Sequence, residues 1–250
     1  MTEKIIIKPS VQKRFDSFMV HGRVLFFSAP CGFGKTVVAN ALLRKWRTLC
    51  LRADAPDFSL QALPDEWDIL LIDDFQLLQE QETSQILCEL IRANPARRFV
   101  FLSRGVPPAY LTAFQYTGLM TTLEPDDLLF DHEDIRNFFA SCKVAVTESE
   151  INGILKESFG YPLGVAITAR QMSDGKPFSP ELTARAYREV FAYFEAAVYN
   201  RFDLPVRRLL LELSPFEDFD MEMVRMVSGD PRAGERMDWL LRHTTMLRYD

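Results

Sequence analysis

The sequence predicts an α/β fold: a parallel sheet with helices on both faces through about residue 128, followed by a half built of helices. Three observations carry this. Val24, Leu25, Phe26 and Phe27 form a short apolar run that leads into the glycine-bearing stretch SAPCGFGKT, after which Val37, Val38, Ala41 and Leu42 recur at helical spacing. Further apolar runs, in RTLCLRAD, EWDILLIDDFQLL and RRFVFLSR, alternate with helical patterns such as SQILCELIRAN. Beyond Leu128 the strand patterns give way to segments that open with helix-capping signals.

In chain order, the strand-like IIIKP comes first and the amphipathic VQKRFDSF second. The run Val24–Phe27 reads as a strand buried on both faces. The loop after it ends in Gly34, Lys35 and Thr36, as in the phosphate-binding pattern G-x-x-x-x-G-K-[ST], with Ala29 in place of the first glycine. Backbone N–H groups from Gly32 to Thr36 would converge on an anion at a helix N-terminus. Gly32 and Gly34 permit the positive φ that such a turn needs. Lys35 would reach the β- and γ-phosphates and is expected to be exposed, while the Thr36 hydroxyl would ligate Mg²⁺. The nucleotide-binding candidates here are Cys31, Gly32, Phe33, Gly34, Lys35, Thr36 and Val37.

The run ILLIDD is a second, independent signal. An acid at the C-terminal end of a buried strand sits where α/β folds bind ligands. Asp73 would hold Mg²⁺ beside Thr36, and Asp74 would orient an attacking water. Lys35 and Asp74 are therefore the candidate catalytic residues. Asp74 is one methylene shorter than a glutamate, which implies slow turnover. Arg104, at the end of FLSR, has two readings: a sensor of the γ-phosphate, or an exposed arginine paired with a surface acid.

The second half opens with DHEDIRNFFASCKV, capped at Asp131, and TESEINGILKESFG, capped at Thr147 and stopping at Gly160. Helices follow in YPLGVAITARQM after Pro162, in SPELTARAYREVFAYFEAAVYNRF, in PVRRLLLELSPF, in MEMVRMVSG and in ERMDWLLRH. The final TTMLRYD reads as the first strand of a hairpin.

Composition narrows the function. The net charge of −6 over 250 residues does not favour nucleic acid as a partner of the whole chain. The basic runs Arg44–Arg47 and Arg207–Arg208 read as solvated helix faces. Cys31, Cys50, Cys88 and Cys142 are scattered without a C-x-x-C pair, which argues against a zinc site or disulfide framework and for reduced thiols in the cytoplasm. No signal peptide or membrane-spanning apolar run is present.

The ordered set APCGFGKT, ILLIDD, FLSR, LEPDDLLFDHEDIRNFF and GYPLGVAI resembles the ATPase module of the large LuxR-type, MalT-like transcriptional regulators, which belong to the STAND class of signalling NTPases. The resemblance spans nearly the whole chain. It implies a P-loop nucleotide-binding domain at 1–128, a helical domain at 129–196 and a winged-helix-like domain, apparently truncated, at 197–250. It also implies ATP or ADP with Mg²⁺ as cofactors, and it accommodates Ala29, since A-P-x-G-x-G-K-T is common in that family. By the same resemblance Pro162, in the G-x-P motif of Gly160–Pro162, lies near the nucleotide base. ADP would hold the domains closed, and ATP with an inducer would open them for self-association.

Two departures stand out. The stretch Asp54–Trp67 is short, so a helix is expected to be reduced there. The family's sensor region and DNA-binding helix-turn-helix lie outside these residues, so a truncated chain that does not itself bind DNA is the expectation. In the segment from about Phe202 to Asp250 the acids outnumber the arginines, Arg207 and Arg208 included, which points the same way. The rival readings are an AAA-like remodelling ATPase and a P-loop small-molecule kinase. The first would favour a glutamate after Asp73, and the second an arginine-rich lid; neither is present.

Overall fold

The computed structural model describes residues 5–61, 63–78, 81–244 and 247. Its first half is a five-stranded parallel sheet with helices on both faces. In order come α1 (Pro9–His21), β1 (Val24–Ser28), α2 (Lys35–Leu43), β2 (Thr48–Arg52), β3 (Ile69–Asp73), α3 (Gln81–Ala93), β4 (Arg98–Ser103), α4 (Thr112–Tyr116) and β5 (Met120–Leu123). The strand order is β2-β3-β4-β1-β5. β4 therefore lies between β1 and β3, and its C-terminal end, at Ser103 and Arg104, falls between the loop after β1 and Asp73 at the end of β3.

Period-two alternation explains why β1 sits inside the sheet, between β4 and β5, with both faces covered. Leu25 and Phe27 join one apolar cluster with Phe15, Ala39, Val100 and Leu102. Val24 and Phe26 join the opposite cluster with Leu70, Ile72, Leu87 and Phe101. All four side chains are fully buried, each stabilising the fold by roughly 1.5–3 kcal/mol.

The second half holds α5 (Pro125–Leu128), α6 (His132–Ser141), α7 (Glu148–Ser158), α8 (Pro162–Ser173), α9 (Pro180–Ala197), α10 (Leu204–Leu213), α11 (Met221–Ser228) and α12 (Ala233–His243). The capping signals at Asp131 and Thr147 form full capping boxes with Asp134 and Glu150. α6 to α9 share a core around Ile135, Phe139, Ile151 and Val165. α10 to α12 share a separate one around Leu209, Val224 and Leu240. At Gly160 the chain turns with φ +74, and an added Cβ would lie 2.2 Å from Phe130 O.

Three expectations need correction, and one strand has no counterpart among them. IIIKP forms no strand: Ile6 packs into the helical core and Ile7 into the sheet core, so the segment is held by side chains on either side of an extended chain. β5 is a strand that its sequence, MTTL, does not announce, because its two threonines are half-exposed at the sheet edge and only Met120 and Leu123 are buried. Arg44–Arg47 is not a helix face. α2 stops at Leu43, and Arg47 forks onto Asp68 at 3.0 and 3.2 Å. Lys35 is not exposed, as described below. Between Asp54 and Trp67 there is no helix among the described residues. Apart from Thr244 and Leu247, TTMLRYD lies outside the described residues. Among the described residues no helix is long and apolar enough to cross a membrane.

Candidate functional site

The loop after β1 turns left-handed twice, at Gly32 (φ +82) and Gly34 (φ +76), conformations that cost a glycine little. Its start is fastened to the sheet by Ala29 N–H donating to Ser103 O at 3.2 Å. α2 then begins at Lys35, with Gly34 as its N-cap and no side chain capping it. Its first N–H groups are thus not taken by a capping side chain, the arrangement that suits an anion.

Lys35 is only 9% exposed. Its ammonium is folded back onto the loop, donating to Ala29 O at 2.7 Å and Pro30 O at 2.9 Å. Burial lowers its pKa to about 8; nearby Cys31, Asp73 and Asp74 oppose that shift, and the Arg104 charge adds to it.

Thr36 donates its hydroxyl to Asp73 Oδ2 at 3.0 Å, joining the loop to β3. The other Asp73 oxygen accepts the Asp74 N–H at 2.8 Å. Asp74 is left-handed (φ 53) and 9% exposed. Its Oδ1 accepts from Gln76 Nε2 at 2.9 Å and pairs with Arg104 Nη2 at 3.0 Å. Gln76 Oε1 in turn takes the Arg104 backbone N–H at 2.9 Å. Arg104 therefore pairs with a buried acid at the sheet edge instead of a surface one, and its Nη1 donates to Ala197 O at the end of α9, 2.8 Å away.

These groups line one cavity of about 430 Å³, a size that suits a small-molecule ligand. Asp73, Asp74 and Arg104 supply polar lining from the sheet edge, and Lys35 and Thr36 from the first turn of α2. Cys31, Gly32, Phe33, Gly34 and Val37 come from the loop and the start of α2. Pro162, Leu163 and Ala166 of α8, with Phe138 of α6 and Ile5 of the N-terminal segment, supply apolar lining. The fold thus brings every candidate residue named from the sequence to one place.

A magnesium ion fits the donor set. Among the described residues no three or more His, Cys, Asp and Glu cluster as a metal cage. The Thr36–Asp73 pair instead suits a cation that keeps waters and phosphate oxygens as its other ligands.

Sequence reasoning missed three contributors. Gln76 holds Asp74 and Arg104 in register from a short turn after β3. Tyr161 donates its hydroxyl to Cys31 O at 2.8 Å, and Tyr193 Oη lies 3.5 Å from Cys31 Sγ. Tyr161 adjoins the Gly160–Pro162 signal and was findable there. Tyr193 is one aromatic among several on α9, and nothing in its spacing marks it.

No family model matches the chain. Among curated proteins, the HTH-type transcriptional regulator MalT of Serratia proteamaculans (strain 568) is 22% identical over 239 residues, covering 92% of this chain. The chain spans about a quarter of that relative, 26% of its length. Among solved structures, the Walker-type ATPase paby2304 of Pyrococcus abyssi is 12% identical with a TM-score of 0.69, covering 100% of this chain and 93% of its own. A variant of RuvB from Thermotoga maritima is 14% identical with a TM-score of 0.53, covering 94% and 87%. The parallel five-stranded sheet resembles the α/β fold of P-loop NTPases, and together with the distant sequence similarity it fits a MalT-like P-loop NTPase module.

Proposed function

We propose that this chain is the nucleotide-dependent switch module of a MalT-like, LuxR-type transcriptional regulator. It binds ATP or ADP with Mg²⁺ and hydrolyses ATP slowly, and hydrolysis is coupled to domain opening and self-association. The observation that carries the reading is that a single cavity takes polar lining from the sheet edge and apolar lining from the helices of the second half. A ligand there touches both halves, so its differential affinity for the open and closed arrangements biases one against the other. At ~1,000 times its dissociation constant a ligand stabilises the state it binds by ~4 kcal/mol, enough to move such an equilibrium.

In this reading Lys35 and the loop N–H groups hold the phosphates, Thr36 and Asp73 hold Mg²⁺, and Pro162 borders the base. The ion, when bound, neutralises charge on the phosphate oxygens. Asp74 orients the attacking water, and Arg104 responds to the γ-phosphate. Slow turnover is supported by the engagement of Asp74, whose Oδ1 already holds both Gln76 and Arg104. The same guanidinium reaches Ala197 O, so a phosphate that draws Arg104 away loosens the end of α9 as it frees Asp74. We take the nucleotide-binding domain as 1–128, the helical domain as 129–196 and a winged-helix-like domain as 197–250, in a cytoplasmic protein. The separate cores of α6 to α9 and α10 to α12 support the last division.

The test is to denature the purified protein and resolve the released small molecules by anion exchange, alongside calorimetric titration with ATP and ADP. Bound ADP, or micromolar or tighter affinity for either nucleotide, is expected. No bound nucleotide together with no titratable affinity would overturn the reading, and turnover above ~1 s⁻¹, ordinary for a metabolic enzyme, would favour the kinase or remodelling alternatives.

A further inference from the structure

Helix α8 meets the phosphate-binding loop through the residue at its own N-cap, Tyr161. The Tyr161 hydroxyl donates to Cys31 O at 2.8 Å, and its ring meets the Phe33 ring at a centroid separation of 5.2 Å. Between those two residues lies Gly32, where an added Cβ would come within 1.9 Å of the Tyr161 hydroxyl and 3.1 Å of Leu163 Cβ. The start of α8 is therefore moulded to the bare backbone of the loop. From α9, Tyr193 meets the same residue through Cys31 Sγ at 3.5 Å.

Peptide geometry gives this contact a consequence. The carbonyl of Cys31 and the N–H of Gly32 belong to one planar trans unit, so they point in opposite directions. Holding the carbonyl against Tyr161 holds the Gly32 N–H facing away from Tyr161. Gly32 lines the cavity and has the left-handed φ that a concave run of N–H groups needs. Burial raises the Tyr161 pKa further above its ordinary value, so the hydroxyl stays protonated and able to donate at any working pH.

We infer that Tyr161 is a positioning residue of the anion cradle: its hydroxyl sets the Cys31–Gly32 peptide in the orientation that receives a nucleotide phosphate, and so links occupancy of the loop to the seating of α8. This rests on the nucleotide reading above. The linkage is reciprocal: what the seated helix adds to nucleotide affinity, bound nucleotide adds to the seating of the helix. The pre-set cradle spares the ligand the cost of ordering the loop.

The experiment uses the full chain and two conservative variants. Tyr161→Phe keeps the ring and removes the hydroxyl. Tyr187→Phe is the control, because the Tyr187 hydroxyl donates to Glu157 O within the helical half. Calorimetric titration with ADP and with ATP is run on all three proteins, with thermal melts in the absence of nucleotide. Tyr161→Phe is expected to weaken both nucleotides ~5-fold, the scale of one hydrogen bond, while Tyr187→Phe binds as the unmodified chain does. Unchanged affinity in Tyr161→Phe with a lowered melting temperature would assign the hydroxyl a structural role only and overturn the inference. Equal losses in both variants would overturn it too, by showing general loosening. If the unmodified chain binds neither nucleotide, the nucleotide reading itself fails, a result distinct from either. Hydrogen exchange on the unmodified chain needs no variant: ADP should slow exchange in the first turn of α8 together with the loop, and protection of the loop alone would refute the linkage.

Discussion

Nucleotide affinity should fall as pH rises through about 8, and Lys35 is the cause. Its ammonium is buried and its pKa is lowered to about 8, mainly by desolvation. An ammonium has three donors, and two are already committed to Ala29 O and Pro30 O. One remains for a ligand oxygen. A bound phosphate stabilises the charged form, so binding takes up a proton wherever the free protein has lost it. About nine-tenths of the Lys35 side chains carry charge near pH 7 and about a tenth near pH 9, so affinity should drop roughly tenfold, or ~1.4 kcal/mol, across that interval. The stability of the ligand-free chain should move the other way. A lysine whose folded pKa lies below its unfolded value of 10.5 leaves the unfolded chain with more bound protons between about 8 and 10.5. Through that window the Lys35 contribution therefore favours the folded chain more as pH rises. The assay is calorimetric titration with ADP at several pH values in two buffers of different ionisation enthalpy, which reads proton uptake directly. Lys35→Met, which keeps a long side chain without the charge, should bind weakly and without pH dependence in this range. A pH-independent affinity for the unmodified chain, with no proton uptake near pH 8–9, would refute the argument.

Three further outcomes are expected. Asp73→Ala should weaken Mg²⁺-dependent ATP binding more than ADP binding, because the ion that Thr36 and Asp73 would hold would neutralise more charge on a triphosphate than on a diphosphate; titrations with and without the ion decide it. Gly160→Ala should destabilise the chain by more than ~2 kcal/mol, since it forces a side chain into a left-handed φ of +74 and sets its Cβ 2.2 Å from Phe130 O; chemical denaturation measures this. Fluorescence anisotropy with duplex DNA at physiological salt should detect no sequence-dependent submicromolar binding by these 250 residues, and such binding would mean that α10 to α12 include a DNA reader.

The parts of the site legible in the sequence are those built by local chain order. A strand, a glycine-bearing turn and a helix are contiguous, so residues 24–42 announce the loop. Asp73 is legible because a buried strand ends at it, and Arg104 for the same reason. Contacts made across the fold leave no such trace. Whether Arg104 would face a surface acid or Asp74 depends on β4 lying next to β3, a fact of strand order. The burial of Lys35 depends on its side chain folding back onto carbonyls five and six residues earlier, a matter of loop shape. IIIKP misleads because an apolar run signals burial, and burial here comes from two cores flanking an unpaired segment.

The placement of β1 has a consequence for how the chain is made. Val24 pairs with Phe99 on one side and Met120 on the other, so neither neighbour of this inner strand exists until β4 and β5 have been synthesised. At ~5–20 residues per second, VLFF waits on the order of ten seconds for its first partner. Such an uncharged, strand-forming run is prone to pair with other copies of itself while exposed. Arg23 and Pro30 bound the region, one a charge and the other a residue without an N–H. In the folded chain Arg23 donates to Ile91 O, Asn94 O and Pro95 O. Before those carbonyls are in place, its free charge keeps the nascent strand from stacking against its like, so one residue serves first as gatekeeper and later as clasp.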